Sequence, residues 1–136
     1  MPKEVGARRI LLVEDEPVVA DTLRQILSSN GYDTRVAYSA ETALSSLSRW
    51  SPSLAILDVM LPKMNGIDLA MALKERFPDC HILLISGQPS VESLLQEARR
   101  KGHEFEILAK PVHPTEILDT IAGLFSANGC EHCSHG

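Results

Sequence analysis

Asp58 closes the run Leu54-Ala55-Ile56-Leu57, four apolar residues without a break, and Pro62 follows four positions later. A short continuous apolar run reads as a strand buried on both faces. Such a strand has no place for a carboxylate in its middle, so Asp58 is expected at its carboxyl end. A second run, Ile10-Leu11-Leu12-Val13, ends in Glu14-Asp15-Glu16, and the run Phe105-Glu106-Ile107-Leu108 ends in Ala109-Lys110-Pro111. In open α/β sheets the carboxyl ends of the strands are where ligands bind. Carboxylates gathered there repel, by roughly 1 kcal/mol per pair at 4 Å in water and about 4 at an effective dielectric of 20. A site that concentrates them usually holds a cation. Oxygen ligands without nearby His or Cys favour a hard ion, Mg²⁺ or Mn²⁺. Mg²⁺ is typically shared between one or two carboxylates, water and phosphate oxygens, so a phosphoryl group is the fitting substrate. A carboxylate can serve as its nucleophile, and Lys110, held by Pro111, is placed to neutralise the charge on the transferred oxygens.

The elements that must position these groups alternate along the chain. Arg9 to Val13 forms the first strand, and Pro17 suits the first turn of the helix that follows. Val19, Leu23, Ile26 and Leu27 share one face of it, and Asn30-Gly31 stops it. Asp33 to Ala37 is a short charged strand. Ser39 caps a second helix, with Ala40, Ala43, Leu44 and Leu47 inward and Trp50 as a lid at its end. After the Asp58 strand, Asn65-Gly66 makes a turn, and a third helix spans about Ile67 to Phe77, ended by Pro78. His81 to Ile85 is the fourth strand, stopping at Ser86-Gly87. A fourth helix spans Pro89 to Lys101, with Arg99, Arg100 and Lys101 complementing its carboxyl end. Glu104 to Leu108 is the fifth strand, and Pro114 opens a fifth helix with Ile117, Ile121, Leu124 and Phe125 inward. Strict alternation implies a (βα)5 doubly wound α/β domain, a parallel sheet covered on both faces. Charges inside the second and fifth strands mark them as edges. These edges agree with the order 2-1-3-4-5 of flavodoxin-like doubly wound sheets, a pattern that sets Glu14-Asp15 beside Asp58.

A chain of 136 residues suggests one domain. Such a domain buries roughly two-thirds of its unfolded surface and needs no disulfide staples. A net charge of −5 argues against direct nucleic-acid binding. No apolar run approaches the roughly 20 residues of a membrane span, and no signal-peptide core follows residues 1–9. Three cysteines fit a reducing compartment, so a cytoplasmic location without membrane insertion is expected.

Taken together and in this order, Leu11-Leu12-Val13-Glu14-Asp15-Glu16, Leu57-Asp58-Val59-Met60-Leu61-Pro62 with Asn65-Gly66, Ile85-Ser86-Gly87 and Lys110-Pro111 resemble the receiver domain of two-component response regulators. The resemblance runs from Arg9 to Phe125. It implies that Asp58 accepts a phosphoryl group from a sensor histidine kinase or histidine phosphotransferase. It further implies that Asp15 and Asp58 bind Mg²⁺ directly, Glu14 through water and Met60 through its backbone carbonyl. Lys110 would grip a phosphoryl oxygen, with a cis bond to Pro111, and Ser86 would swing toward the group as the switch. Met60 and Gln88 would flank it and tune its loss. The surface of the fourth helix, fifth strand and fifth helix would then shift toward a downstream protein target, or form a homodimer. The implied protein is no enzyme beyond self-phosphorylation and autodephosphorylation. The family commonly carries Tyr or Phe three residues before the lysine. Here Ile107 stands there, with Phe105 two residues earlier on the same side, so output is not expected to run through a rotating ring.

The domain is expected over residues 9–126, after a flexible start at 1–8 and before a disordered tail at 127–136. No output module fits after Phe125, which leaves a stand-alone receiver, a phosphorelay shuttle or a fragment of a longer regulator. In the tail, Cys130, His132, Cys133 and His135 have metal-ligand spacing, but the second pair of a zinc module is missing. Two other functions are weighed. A constitutive interaction module of this fold would have no use for the acids, Asp58 and Lys110. A flavodoxin-like redox carrier would find its cofactor phosphate repelled by Glu14-Asp15-Glu16.

Overall fold

The uninterrupted apolar runs become the inner strands of one parallel sheet. A computed structural model describes residues 8–47, 50–61, 64–87, 92–103 and 105–135. Strands β1 (Arg9–Val13), β2 (Asp33–Ala37), β3 (Leu54–Asp58), β4 (His81–Ser86) and β5 (Glu106–Ala109) alternate with five helices. These are α1 (Pro17–Ser29), α2 (Ala40–Ser46), α3 (Gly66–Arg76), α4 (Glu92–Arg100) and α5 (Pro114–His135). The strand order is β2-β1-β3-β4-β5, all neighbours parallel. The fold is the doubly wound flavodoxin-like one expected from the alternation, with β1 beside β3.

Side chains of a strand alternate between faces, and the core divides accordingly. Leu11, Val13, Ala55, Leu57, Ile82 and Leu84 pack with α2, α3 and α4. Ile10, Leu12, Leu54, Ile56, Leu83 and Ile85 pack with α1 and α5, through Ala20, Leu27, Ile117, Ile121 and Phe125. Trp50 is more deeply placed than a lid, being buried in the first cluster with the Arg35 guanidinium 4.8 Å over its ring.

The ends of the elements follow local chemistry. Pro17 opens α1, and Gly31 beyond its end takes a φ of 93°, a conformation that favours glycine. Ser39 accepts from the Thr42 amide at the start of α2. Several boundaries differ from the sequence expectation. Asn65 and Gly66 do not form a separate turn: Asn65 is the N-cap of α3, accepting from the Asp68 amide at 2.8 Å, and Gly66 is its first residue. The strand expected from Glu104 begins instead at Glu106, paired with Leu83, because His103 is still donating to Ala98 at the end of α4. Glu104 lies outside the described residues, as do residues 88–91 at the expected start of the fourth helix. The flexible start expected at 1–8 lies outside them too, except Arg8. α5 continues through His135, so the backbone is helical beyond Ala127, where a disordered tail is expected from the lack of apolar periodicity. Adding residues to an established helix is far easier than starting one. Among the described residues no helix is long and apolar enough to cross a membrane.

Candidate functional site

Register brings the acids together. Val13 lies level with Leu57 on the adjacent strand, so Glu14 and Asp58 leave β1 and β3 at the same height. Oxygens of Glu14, Asp15 and Asp58 come within 4.8 Å of one another. Glu14 and Asp58 are buried, whereas Asp15 is exposed. Together with Glu16, Met60, Gly87 and Lys110 they line a cleft of about 450 Å³.

Lys110 is the cation of the cleft. It follows β5, and its amide donates to the Ser86 carbonyl at 2.9 Å, which ties its backbone to the end of β4. The Lys110–Pro111 bond is cis, as the resemblance implies. Lys110 Nζ stands 3.1 Å from Asp58 Oδ2 and 3.3 Å from Glu14 Oε1. The other Asp58 oxygen, Oδ1, accepts from the Met60 amide at 3.1 Å. Glu14 Oε2 accepts from the Glu16 amide at 3.3 Å.

The electrostatics match this crowding. Burial, and then the charge of Asp58, push the Glu14 carboxyl above its usual range, and Lys110 offsets them only in part. For Lys110, burial would lower the pKa. The hydrogen bond to Asp58 and the charges of Asp58 and Glu14 outweigh it and hold the ammonium above its ordinary value. One cation thus faces two buried carboxylates and a third exposed one, leaving the cleft acidic. Three carboxylates supplying oxygen donors alone suit a hard divalent ion.

Ser86 ends β4 and is buried, one residue beyond Ile85, which pairs with Asp58. It therefore sits between the strand that carries Asp58 and the start of Lys110. Met60 is half exposed at the mouth of the cleft. Gln88 and Pro62 lie outside the described residues.

Gly66 is a contributor that sequence reasoning missed. Its amide donates to the Val59 carbonyl at 2.9 Å. A Cβ there would run into the Asp58 carbonyl group, whose carbon would lie 2.8 Å away. A glycine at this position lets α3 begin directly against the end of β3 and so fixes the backbone beneath Asp58. The Asn65-Gly66 pair was the signal, but it reads equally well as a turn.

Residues 10–122 match the family model of the response regulator receiver domain. The response regulator MprA of Mycobacterium leprae is 32% identical over 116 residues, 85% of this chain and 50% of that protein. The probable transcriptional regulatory protein TcrX of Mycobacterium tuberculosis is 28% identical over 120 residues, 88% of this chain and 50% of that one. The chain thus spans about half the length of these curated relatives. A crystal structure of a CheY-like receiver domain protein from Methanospirillum hungatei superposes with a TM-score of 0.84 at 27% identity, over 93% of this chain and 99% of the other. Sequence match and superposition agree, and the chain belongs to the receiver-domain family of two-component response regulators.

Proposed function

We propose that the protein is a phosphoacceptor switch in which Asp58 receives a phosphoryl group from a sensor histidine kinase or a histidine phosphotransferase. The observation that carries this reading is the position of Asp58: buried at the end of β3, within reach of two further carboxylates and 3.1 Å from Lys110. A structural ion pair would need one acid for one lysine.

In the transfer, a carboxylate oxygen of Asp58 forms a bond to phosphorus. The bond from phosphorus to the donor's imidazole nitrogen breaks, and that nitrogen keeps the electron pair. The product is an acyl phosphate, a mixed anhydride. Glu14, Asp15, Asp58 and the Met60 carbonyl would hold Mg²⁺ or Mn²⁺, which when bound supplies positive charge to the phosphoryl oxygens. Lys110, 3.1 Å from Asp58 Oδ2, would supply a further positive charge. Its ammonium is held protonated by the acids around it, so it can follow an oxygen of the new phosphoryl group. Ser86, buried at the end of β4, would turn its hydroxyl to that group. The group adds about −1.5 to −2 charge, which would bias the face made by α4, β5 and α5 toward a downstream protein partner or a second copy.

The macromolecular donor is supported by the surface. The large apolar side chains exposed among the described residues are Val18, Tyr38 and Met60. All three follow the carboxyl ends of strands, Val18 after β1, Tyr38 after β2 and Met60 after β3, and Met60 lines the cleft. Exposed apolar groups gathered at one rim suit contact with another protein.

The test is incubation with acetyl phosphate and Mg²⁺ followed by intact mass. One phosphoryl gain that needs the ion and disappears in Asp58→Asn is expected. No gain would support a constitutive interaction module instead.

A further inference from the structure

Cys130 and Cys133 stand three residues apart near the end of the sequence, and His132 and His135 stand three apart among them. The remaining cysteine is a different case. Cys80 is buried, and burial pushes its thiol up to about 11, so it stays a thiol in the core. The fold carries the other two away from the acids. α5 returns from the carboxyl rim, and at Phe125 it has reached the end where the strands begin. The Phe125 ring centre lies 5.6 Å from that of His81, which starts β4, and 4.4 Å from the guanidinium carbon of Arg8, just ahead of β1. Among the described side chains, those that α5 gives to the core end at Phe125. The helix runs on to His135, about 15 Å further at 1.5 Å per residue.

Two features of this extension point to a metal ion. A helix gathers partial negative charge at its carboxyl end, where a cation is favourable. No Lys or Arg follows Lys110, whereas Glu116, Asp119 and Glu131 do, so α5 brings no basic side chain to offset its own dipole. The residues it does bring are metal ligands at helical spacing. Positions three apart share a helix face, and ligands at that spacing can hold one ion. Cys130 and Cys133 form one such pair, and His132 and His135 form another. No cysteine is three or four residues from either histidine, so the helix sets the two pairs on different faces. One helix therefore offers an ion two ligands, whereas a structural zinc site takes four in a tetrahedron.

We propose that Cys130 and Cys133 of two copies of this chain share one Zn²⁺, in a four-thiolate site that joins the ends of two α5 helices. The pair that a single chain lacks is the one a second copy brings. Thiolates suit a borderline-soft ion, which leaves hard Mg²⁺ to the oxygen donors of the Asp58 cleft. Each thiol releases its proton on binding, so the four thiolates outweigh the charge of the ion, and the ion lies between two helix ends. Because it sits beyond the far end of the sheet, the site does not depend on the role given to Asp58.

The full chain, kept reduced with a phosphine and held in excess Mg²⁺, is titrated with Zn²⁺ and, as a spectroscopic probe, with Co²⁺. The expected result is one ion per two chains, with a dissociation constant of about 1 μM or tighter. A thiolate-to-cobalt charge-transfer band should form with Co²⁺. With Zn²⁺ the mass in sedimentation should double, and a zinc chelator should reverse it. Cys130→Ser and Cys133→Ser should each abolish the band and the doubling of mass. The double variant His132→Asn, His135→Asn should keep both. All four positions lie beyond Phe125, and an unchanged melting temperature would confirm that the variants are folded. Reaction with acetyl phosphate should be unchanged in the cysteine variants, which separates failure of this site from failure of the Asp58 reading. The proposal is overturned if no band forms, or if one ion binds per chain. It is equally overturned if the histidine variant loses the band, or if the doubling of mass survives loss of either cysteine.

Discussion

At the scale of single residues, the cleft holds a carboxyl whose burial opposes its charge. Glu14 is buried beside Asp58, and its pKa is raised. A carboxyl with a raised folded pKa favours folding while protonated, below the unfolded value of 4.5. That contribution is lost as pH rises through the folded value. At neutral pH the ionised group is therefore a cost. Glu14→Gln should raise stability without metal by roughly 1 kcal/mol, the scale of one like-charge pair near 4 Å, read as a higher denaturation midpoint. The same variant should bind Mg²⁺ more weakly in a direct titration. Lys110 has the opposite bearing on stability at neutral pH. Its raised pKa means a favourable contribution that is complete below the unfolded value of 10.5 and is lost as pH rises through the folded value. Alkaline titration of the unfolding midpoint should show a loss above pH 10.5 that is absent in Lys110→Met. Asp58, Glu14, Asp15 and Lys110 could be located from the sequence because each ends a run of apolar residues, and a charge can end a buried strand but not continue it. The burial of Glu14 against the exposure of Asp15 could not, since two adjacent acids look alike until the chain direction past Val13 is known.

At the scale of elements, the junction of β3 and α3 controls the site. Gly66→Ala forces a methyl group toward the backbone carbonyl of Asp58, which must move. Overpacking of this kind costs about 1–3 kcal/mol. The variant should melt lower and, if Asp58 is the phosphoacceptor proposed above, accept phosphate from acetyl phosphate more slowly, because the displaced backbone carries Asp58. Asn65→Ala removes the cap on the Asp68 amide and should cost about 1 kcal/mol of stability without moving Asp58. Comparing the two separates helix capping from positioning. The strands β1, β2 and β3 were legible to the residue, since apolar runs and charged flanks define them. The start of β5 was not, because the backbone of His103 is tied to α4 by a hydrogen bond that no residue type announces. Phe105 precedes the strand, stacked on His103 with ring centres 5.7 Å apart, and packs with Ile107 against the same core cluster. An aliphatic residue at the position nearer Lys110 leaves no ring there to rotate. Phosphorylation is expected to leave the Phe105 ring packed against its core cluster, read as unchanged ring NMR shifts; a buried-to-exposed change of that ring would contradict it.

At the scale of the molecule, the parallel sheet separates two chemistries. Acids and exposed apolar groups occupy the carboxyl rim, and guanidiniums cluster where the strands begin. In the order β2-β1-β3-β4-β5 the two edges were legible from their charges, whereas the order of the inner strands followed from the flavodoxin-like pattern rather than from any residue. The grouping of Arg8, Arg76 and Phe125 at the amino end was not legible, since they are far apart in sequence and belong to no motif. The apolar rim leads to a prediction about partners. Val18 is 79% exposed at the start of α1, and Val18→Glu should alter stability by no more than about 0.5 kcal/mol. If the rim receives a protein donor, the variant should slow transfer from a phosphorylated histidine kinase about fivefold or more, the scale of losing an interface contact worth about 1 kcal/mol. Its reaction with acetyl phosphate should be unchanged. The most direct measurement is to trap the acyl phosphate. The protein is treated with acetyl phosphate and Mg²⁺, reduced with borohydride, and the alcohol formed from the activated carboxyl is located by peptide mass. Reduction confined to position 58 is the predicted result. Reduction at Glu14 or Asp15, or at no carboxyl at all, would contradict the assignment of Asp58 as the phosphoacceptor.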